Sequence, residues 1–281
     1  MANAISTGSH VRRDRFIDAI KKLYRKELVV RNEFARDFEG DPVAGSVKLP
    51  VRDTDAVLQN YDIANGVNLL TSTTTFEDIL VDNHKALNEL IDGYEAAAVP
   101  DNIVAQRLES GSYSIGLTLE LNAIGELEDN GTAESSTTAL TTDNAYSSIA
   151  ASITEIKKLG VSINDIVVVV SPDTELSLLT DDKFANTSGT LGAELVREGV
   201  IGKIAGARTK MSANLASTTE YIVFAKPWCQ AIDEWKIAPS VVDLRDAQYV
   251  GASKLQGRMV YADKLTRTNA CRVKKTATPS V

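Results

Sequence analysis

The chain reads as an α+β protein, and three observations carry that reading. Helical and strand-like segments are interleaved without a regular βαβ repeat. The run DIVVVV, ending at Val170, is short and fully apolar, as in a strand buried on both faces. Residues 41–82 alternate in the manner of strands but hold few apolar side chains of their own.

Composition bounds the rest. A chain of 281 residues predicts one large or two linked domains. Hydrophobic residues make up 43%, enough for a core, and aromatics only 6%, so that core is mostly aliphatic. A formal charge of -8 and a pI of about 5.0 argue against broad electrostatic capture of nucleic acid. An acidic subunit is still compatible with enclosing DNA, because a container must not stick to its contents. The two cysteines, Cys229 and Cys271, are far apart in sequence and fit a reducing cytosol. The N-terminus has no apolar h-region before its charges, and no run of about 18 apolar residues predicts a membrane span.

The elements follow in order. Residues 12–38 predict one amphipathic helix, with Phe16, Ile20, Leu23, Leu28 and Phe34 on an approximate stripe. Nothing local decides between a helix on its own globule and an arm docked on a neighbouring subunit. In residues 41–82, Val47 and Leu49 alternate with Ser46 and Lys48, and Asn65-Gly66 is a hairpin turn signal. A two-stranded excursion of this kind is marginal alone in water, so it is either disordered or held by a partner. Residues 83–97 predict a short helix. Residues 100–127 predict a long one, roughly 40 Å at about 1.5 Å per residue. Val104, Leu108, Ile115 and Leu119 lie near one face, Leu117, Leu121 and Ile124 widen it, and Gly111 and Gly116 mark a place to bend.

Residues 128–143 are polar and low in complexity, the best candidate domain boundary. Asp143 or Asn144 is placed to cap the next helix, which ends at Gly160. After DIVVVV, Ser171-Pro172 supplies an N-cap and an N1 proline for the helix DTELSLL. Residues 181–190 read as a polar loop. LGAELVREG predicts a helix closed by Gly199, where a left-handed backbone is needed. Gly206 reads as the turn before an edge strand, ARTKMS. The rest alternates strand and turn, with a turn at Pro227, to a frayed tail.

The sequence offers no catalytic, cofactor-binding or metal-ligating residue. His10 and His84 lack a nucleophile-elbow context. Cys229 and Cys271 lack zinc-ligand spacing and read as small buried hydrophobes. Gly199, Gly202 and Gly206 form neither GxGxxG nor a Walker A loop, so they read as turn and packing glycines. Glu126, Glu128 and Asp129, and Asp181 with Asp182, lack EF-hand alternation and read as solvated loops. Lys21-Lys22 and Lys274-Lys275 are too short for nucleic-acid patches, and Trp228 and Trp235 read as core or interface anchors.

On these segments the chain resembles tailed-phage major capsid proteins of the HK97-like fold, in the group of the phage P22 coat protein. The closest segments are GDPVAGSVKLP, VVVVSPDTELSLL and GVIGKIAGARTKMSANL, and RMVYADKLTRTNACRV closes the match. The ordered combination, and no single motif, carries the resemblance. It implies an N-arm at 1–40 and an extended E-loop at 41–82. It implies a P-domain at 83–143 and 241–281, with a spine helix about 100–127, and an A-domain at 144–240.

The implied function is structural and not enzymatic. Subunits of this kind form hexamers and pentamers that close into an icosahedral shell around double-stranded DNA, without sequence-specific binding. The shell is assembled in the host cytoplasm and becomes the virion capsid. Implied partners are further copies of the chain, a separate scaffolding protein because the arm begins almost at once, a portal, and a decoration protein; no membrane and no cofactor is implied. The loop 181–190 is the guess for contacts at the capsomer centre. The alternatives are an encapsulin-like compartment shell and a soluble hydrolase using carboxylates.

Some members of that family form Lys–Asn crosslinks from an E-loop lysine. Here Lys48 is the only lysine in residues 41–82, and it lies far from the tip at residues 60–66. The expected outcome is no covalent crosslink, and a ladder of oligomers from boiled, reduced protein on a denaturing gel would contradict it.

Overall fold

The computed structural model describes residues 25–37, 45–52, 57–71, 74–92, 103–181, 202–245 and 250–276. Several expectations fall outside these residues. They are most of the predicted N-terminal helix with His10 and Lys21-Lys22, the loop tip 182–190 with Asp182, the helix closing at Gly199, and residues 277–281.

The core is organised by a sheet whose two faces are both apolar. Strand β5 (Ile166–Val170) is buried at every position. Ile166, Val168 and Val170 point to one cluster, Val167 and Val169 to another. Strand β8 (Thr219–Ala225) beside it divides the same way, with Tyr221, Val223 and Ala225 on one side and Ile222 and Phe224 on the other. A sheet of this composition must be covered twice. Each fully buried Val or Ile side chain contributes roughly 1.5–3 kcal/mol relative to exposure.

The sheet has six strands in the order β4-β11-β8-β5-β7-β6. Its other members are β4 (Thr132–Ala133), β6 (Lys203–Ile204), β7 (Ala207–Met211) and β11 (Cys271–Lys275). Strand β7 is therefore internal, between parallel β5 and antiparallel β6, and the edge is β6. This corrects the expectation of an edge strand after Gly206. The turn itself is as expected: Ala205 and Gly206 have φ of 48° and 90°, which a two-residue hairpin loop demands of both central residues.

Helices α2 (Ala145–Lys158) and α3 (Pro172–Leu179) cover one face. In α2 the buried residues Ala145, Ile149, Ser152, Ile153 and Ile156 recur at helical spacing. Asn144 sits at its N-cap, but its side chain accepts the Thr141 N–H at 2.8 Å instead of one from the helix. The cap comes from Asp181, whose Oδ2 accepts the Tyr146 N–H at 3.1 Å. Asp181 is thus buried and structural, not a solvated loop residue. In α3, Ser171 accepts the Thr174 N–H and Pro172 opens the helix, as its sequence predicts.

Helix α1 (Ile103–Asn130) covers the other face through Ala123, Ile124 and Leu127. Its N-terminal half lies against a second sheet of three strands, β3 (Asn83–Ile91), β10 (Val250–Leu265) and β9 (Cys229–Arg245), in the order β3-β10-β9. The helix continues through Gly111 and Gly116. Those glycines admit close neighbours: a Cβ at Gly111 would lie 2.4 Å from Leu87 Cδ2, and one at Gly116 would lie 2.7 Å from Leu28 Cδ1.

Where two predicted helices reach into the described residues, those residues are not helical. Residues 83–91 form β3, paired antiparallel with β10 from Asn83↔Tyr261 to Ile91↔Ser253. Its residues are good helix formers, but Leu87 and Ile91 share one face in strand alternation, and the nonlocal ladder wins. Residues 25–37 are irregular apart from one 3-10 turn at Arg31–Glu33 and a single bridge at Ala35. Their backbone N–H groups are claimed by a side chain of α1, described below.

Strands β1 (Ser46–Arg52) and β2 (Thr74–Leu80) form the expected antiparallel hairpin. Its base packs on the second sheet through Val47, Leu49, Ile79 and Val81.

Gly131, just after α1, is the tightest of these turns. A Cβ there would lie 2.5 Å from the Leu127 carbonyl oxygen and 2.7 Å from Val273 Cγ2. At Gly125 in α1 a Cβ would meet nothing within 4 Å. Gly131→Ala is expected to destabilise by about 2 kcal/mol, and Gly125→Ala to stabilise by about 1 kcal/mol. Denaturant midpoints of the two variants check both signs.

Candidate functional site

Two features do not reduce to an ordinary core: a buried polar anchor that holds residues 25–37, and a hairpin that projects apolar side chains into solvent.

The anchor begins with Glu120 on α1, which is 1% exposed. Its Oε1 accepts the N–H groups of Val29 at 2.8 Å and Val30 at 2.7 Å, and its Oε2 accepts that of Arg31 at 3.0 Å. Three backbone donors of an irregular segment are thereby satisfied by one carboxylate. Arg31 then reaches inward. Its Nε donates to Asp263 Oδ1 at 2.9 Å, and its Nη1 to Asp233 Oδ1 at 3.0 Å. Asn122 on α1 donates to the other Asp263 oxygen at 2.8 Å. Burial pushes the Asp263 carboxyl above the ordinary range, against the pull of Arg31 and Asn122.

Further along, Phe34 meets Phe224 edge-on with ring centroids 5.7 Å apart. Ala35 bridges Gln230 at the start of β9, donating to the Cys229 carbonyl at 2.9 Å. Glu33 lies between Lys210 of β7 and Lys226 of the turn before β9. The segment thus touches α1 and both sheets, and Val30 and Phe34 belong to the second core cluster.

The hairpin is different. Beyond its paired base, Leu58, Ile63 and Leu69 are 97%, 94% and 94% exposed, and Val57, Tyr61 and Leu70 are also exposed. On β2, Phe76 and Leu80 face outward as well. The tip is nonetheless built. Asp62 Oδ1 accepts the Ala64 N–H at 2.7 Å, Gly66 N–H donates to the Asp62 carbonyl at 2.8 Å, and Gln59 spans to the Asn68 carbonyl at 2.8 Å. Scattered apolar residues are normal on a surface, but a contiguous group on one projection marks an interaction site.

The residues weighed for chemistry are dispersed. His84 is exposed on β3. Cys229 and Cys271 are buried in one cluster as free thiols, and burial pushes both thiols up, away from reactivity. Glu126 and Glu128 are on α1, not in a loop. Glu126 accepts the Leu265 N–H at 3.0 Å and Glu128 the Ala216 N–H at 3.1 Å, pinning the helix to the end of β10 and to the loop before β8. Lys274 and Lys275 donate to the Ser136 and Glu128 carbonyls. Trp228 stacks under Arg267 at 4.5 Å, and Trp235 is 38% exposed. Lys48 is at the hairpin base, paired in register with Asp78. Among the described residues no three of His, Cys, Asp and Glu come together as a metal set, and no helix is long and apolar enough to cross a membrane.

The anchor was not foreseen. Glu120 stands inside a helical stripe as an ordinary polar interruption, and its partners are about 90 residues away in the chain. The one available signal was a glutamate among Leu119, Leu121 and Ile124, on the side of α1 that packs.

This arrangement has the fold of phage capsid chains. The chain is similar to the capsid structure of cyanophage P-SCSP1u, with a TM-score of 0.81, 14% identity, and coverage of 99% of this chain and 97% of that one. It is similar to a chain from the mature capsid of bacteriophage PhiM1, at TM-score 0.70 and 13% identity, covering 100% and 98%. A structure from Mycobacterium phage Che8 matches at TM-score 0.77 and 23% identity, covering 93% and 96%. No family model and no curated protein matches the sequence.

The two lysines give the Glu33 contact a pH dependence. Burial pushes its carboxyl up, and Lys210 and Lys226 outweigh that, so the pKa lies below the ordinary 4.5. A carboxyl depressed in the folded state stabilises above its unfolded value and loses that contribution as pH falls through the folded one. Wild type should exceed Glu33→Gln in denaturant midpoint at about pH 6, and the gap should shrink steadily below about pH 4.5. Equal midpoints at about pH 6 would refute this.

Proposed function

We propose that the protein is a major capsid protein of a tailed phage, a structural subunit and not an enzyme. The projecting hairpin carries this reading. Residues 57–71 present a row of exposed apolar side chains on a pre-ordered turn, left uncovered by the other described residues. The near-complete overlap in fold with two capsid chains supports it.

In HK97-like terms, residues 41–82 are the E-loop and residues 1–40 the N-arm. Helix α1 is the spine of a P-domain at 83–143 and 241–281, and 144–240 form the A-domain. Copies assemble as hexamers and pentamers into an icosahedral shell enclosing phage DNA, with separate scaffolding and portal proteins. The negative net charge suits a wall that must release its contents. A compartment shell is the weaker relative: a virus-like particle from Pyrococcus furiosus overlaps at TM-score 0.55 and 11% identity. A hydrolase using carboxylates has little support, since Glu120, Glu126, Glu128 and Asp263 are engaged in hydrogen bonds that hold the fold together.

Deleting residues 52–72 tests the reading. Val51 pairs with Thr75, so the deletion leaves Thr73 and Thr74 as a two-residue hairpin loop and preserves the base. Electron microscopy should show shells from the full chain with co-expressed scaffold, and folded subunits or capsomers without stable shells from the deletion. A full chain that stays monomeric under every condition, or a deletion that forms normal shells, would overturn the proposal. Nucleic acid extracted from shells made during infection separates a phage capsid from an empty compartment.

A further inference from the structure

Residues 25–37 are attached to the molecule differently from the strands beneath them. Among the described residues, their backbone meets the backbone of the core at one place. There Ala35 donates to the Cys229 carbonyl at 2.9 Å and accepts the Ala231 N–H at 3.0 Å. Elsewhere side chains make the links. Tyr113 Oη accepts the Lys26 N–H at 2.8 Å, Asn214 Nδ2 donates to the Glu27 carbonyl at 3.0 Å, and Gln230 Nε2 donates to Asp37 Oδ2 at 3.0 Å. Neither sheet counts a residue of this segment among its strands. The ladders on both sides of β5 close through β7 and β8 without it.

The links that seat the segment are largely charged, and that limits their net strength. The Asp263 side chain is fully buried and that of Arg31 is 6% exposed, so both shed water when the segment docks, as Glu120 does. The backbone of the segment must also be ordered. Against these costs stand the burial of Val29, Val30 and Phe34 and the pairing of the Val29, Val30 and Arg31 N–H groups. Strand β5 meets no such opposition: it is apolar, buried at every position and paired on both edges. The segment therefore gives way before the sheet does. It gives way together, because three successive N–H groups share one carboxylate and lose it at once. Ala123, Ile124 and Leu127 of α1 still cover part of the sheet face when it does.

We propose that residues 25–37 are a strap that opens and closes as one unit over a sheet that stays folded, with Glu120 as its latch. Closed, the strap seats Phe34 against Phe224 and holds Glu33 between Lys210 and Lys226. Open, it bares an apolar strip around Phe224 and frees both lysines. The device is complete within one chain and does not rest on the shell reading.

Hydrogen–deuterium exchange of the unassembled full chain, read by mass spectrometry at several low denaturant concentrations, tests the proposal. In wild type, residues 29–34 should exchange at least about tenfold faster than residues 166–170 and 220–224, with little dependence on denaturant, as a local opening requires. Glu120→Gln leaves one acceptor and turns an amide N–H toward the donors of the strap. It should speed exchange at 29–34 at least about a hundredfold and exchange at 166–170 by less than about threefold. Phe34→Leu keeps the latch and trims its apolar support. It should speed exchange at 29–34 at least about threefold and leave the sheet unchanged, and it serves if Glu120→Gln does not fold. Equal rates with equal denaturant dependence for the two regions of wild type, variants that speed both regions alike, or no change at 29–34 in either variant would overturn the proposal.

Discussion

The two-faced central sheet is the constraint on which the rest of the structure depends. Strand β5 has no side chain that tolerates water, so both faces of the sheet must be covered. Helices α2 and α3 close one face with an aliphatic layer. The other face is not covered by the end of α1 alone, and Val30 and Phe34 complete it from an irregular segment. Such a segment brings its backbone donors into the interior with it. Glu120 answers that cost by taking three of them on one carboxylate. Arg31, Asp233, Asp263 and Asn122 then settle charge around the same point. The polar anchor is therefore a consequence of the apolar sheet, and each half depends on the other.

The elements that local chemistry specifies were legible in the sequence. The run ending at Val170, the Ser171-Pro172 cap, the helix that ends near Gly160, the long α1 and the hairpin over 41–82 all occur where pattern and punctuation put them. The missed helix assignments share one cause. Residues 83–91 and 25–37 are good helix formers held out of helix by partners distant in sequence: β10 for the first, Glu120 for the second. The same cause hid the cap of α2, supplied by Asp181 from beyond β5. Acidic residues that read as solvated charges, Glu126 and Glu128, proved to be fixed acceptors for backbone groups of other elements. Sequence pattern reports what a residue prefers locally; it does not report which orphaned donor will arrive beside it.

The anchor and the hairpin are opposite solutions to one problem, a segment without a core of its own. Residues 25–37 are drawn into the core and held by buried charge. Residues 57–71 stay outside the described core, with their apolar side chains unspent. In the proposed shell this division separates what fixes a subunit's own shape from what joins it to the next.

The turn at Asp62 adds a kinetic consequence. Its carboxylate accepts the Ala64 and Asn65 N–H groups, so the loop tip is shaped by bonds within residues 62–66. An unformed loop would have to freeze its backbone each time it docked, at roughly 1–2 kcal/mol per residue ordered. A tip that is shaped beforehand loses less on contact, and more of its encounters are productive. In the proposed shell, that saving would recur at every joint and lower the subunit concentration at which growth outruns dissociation.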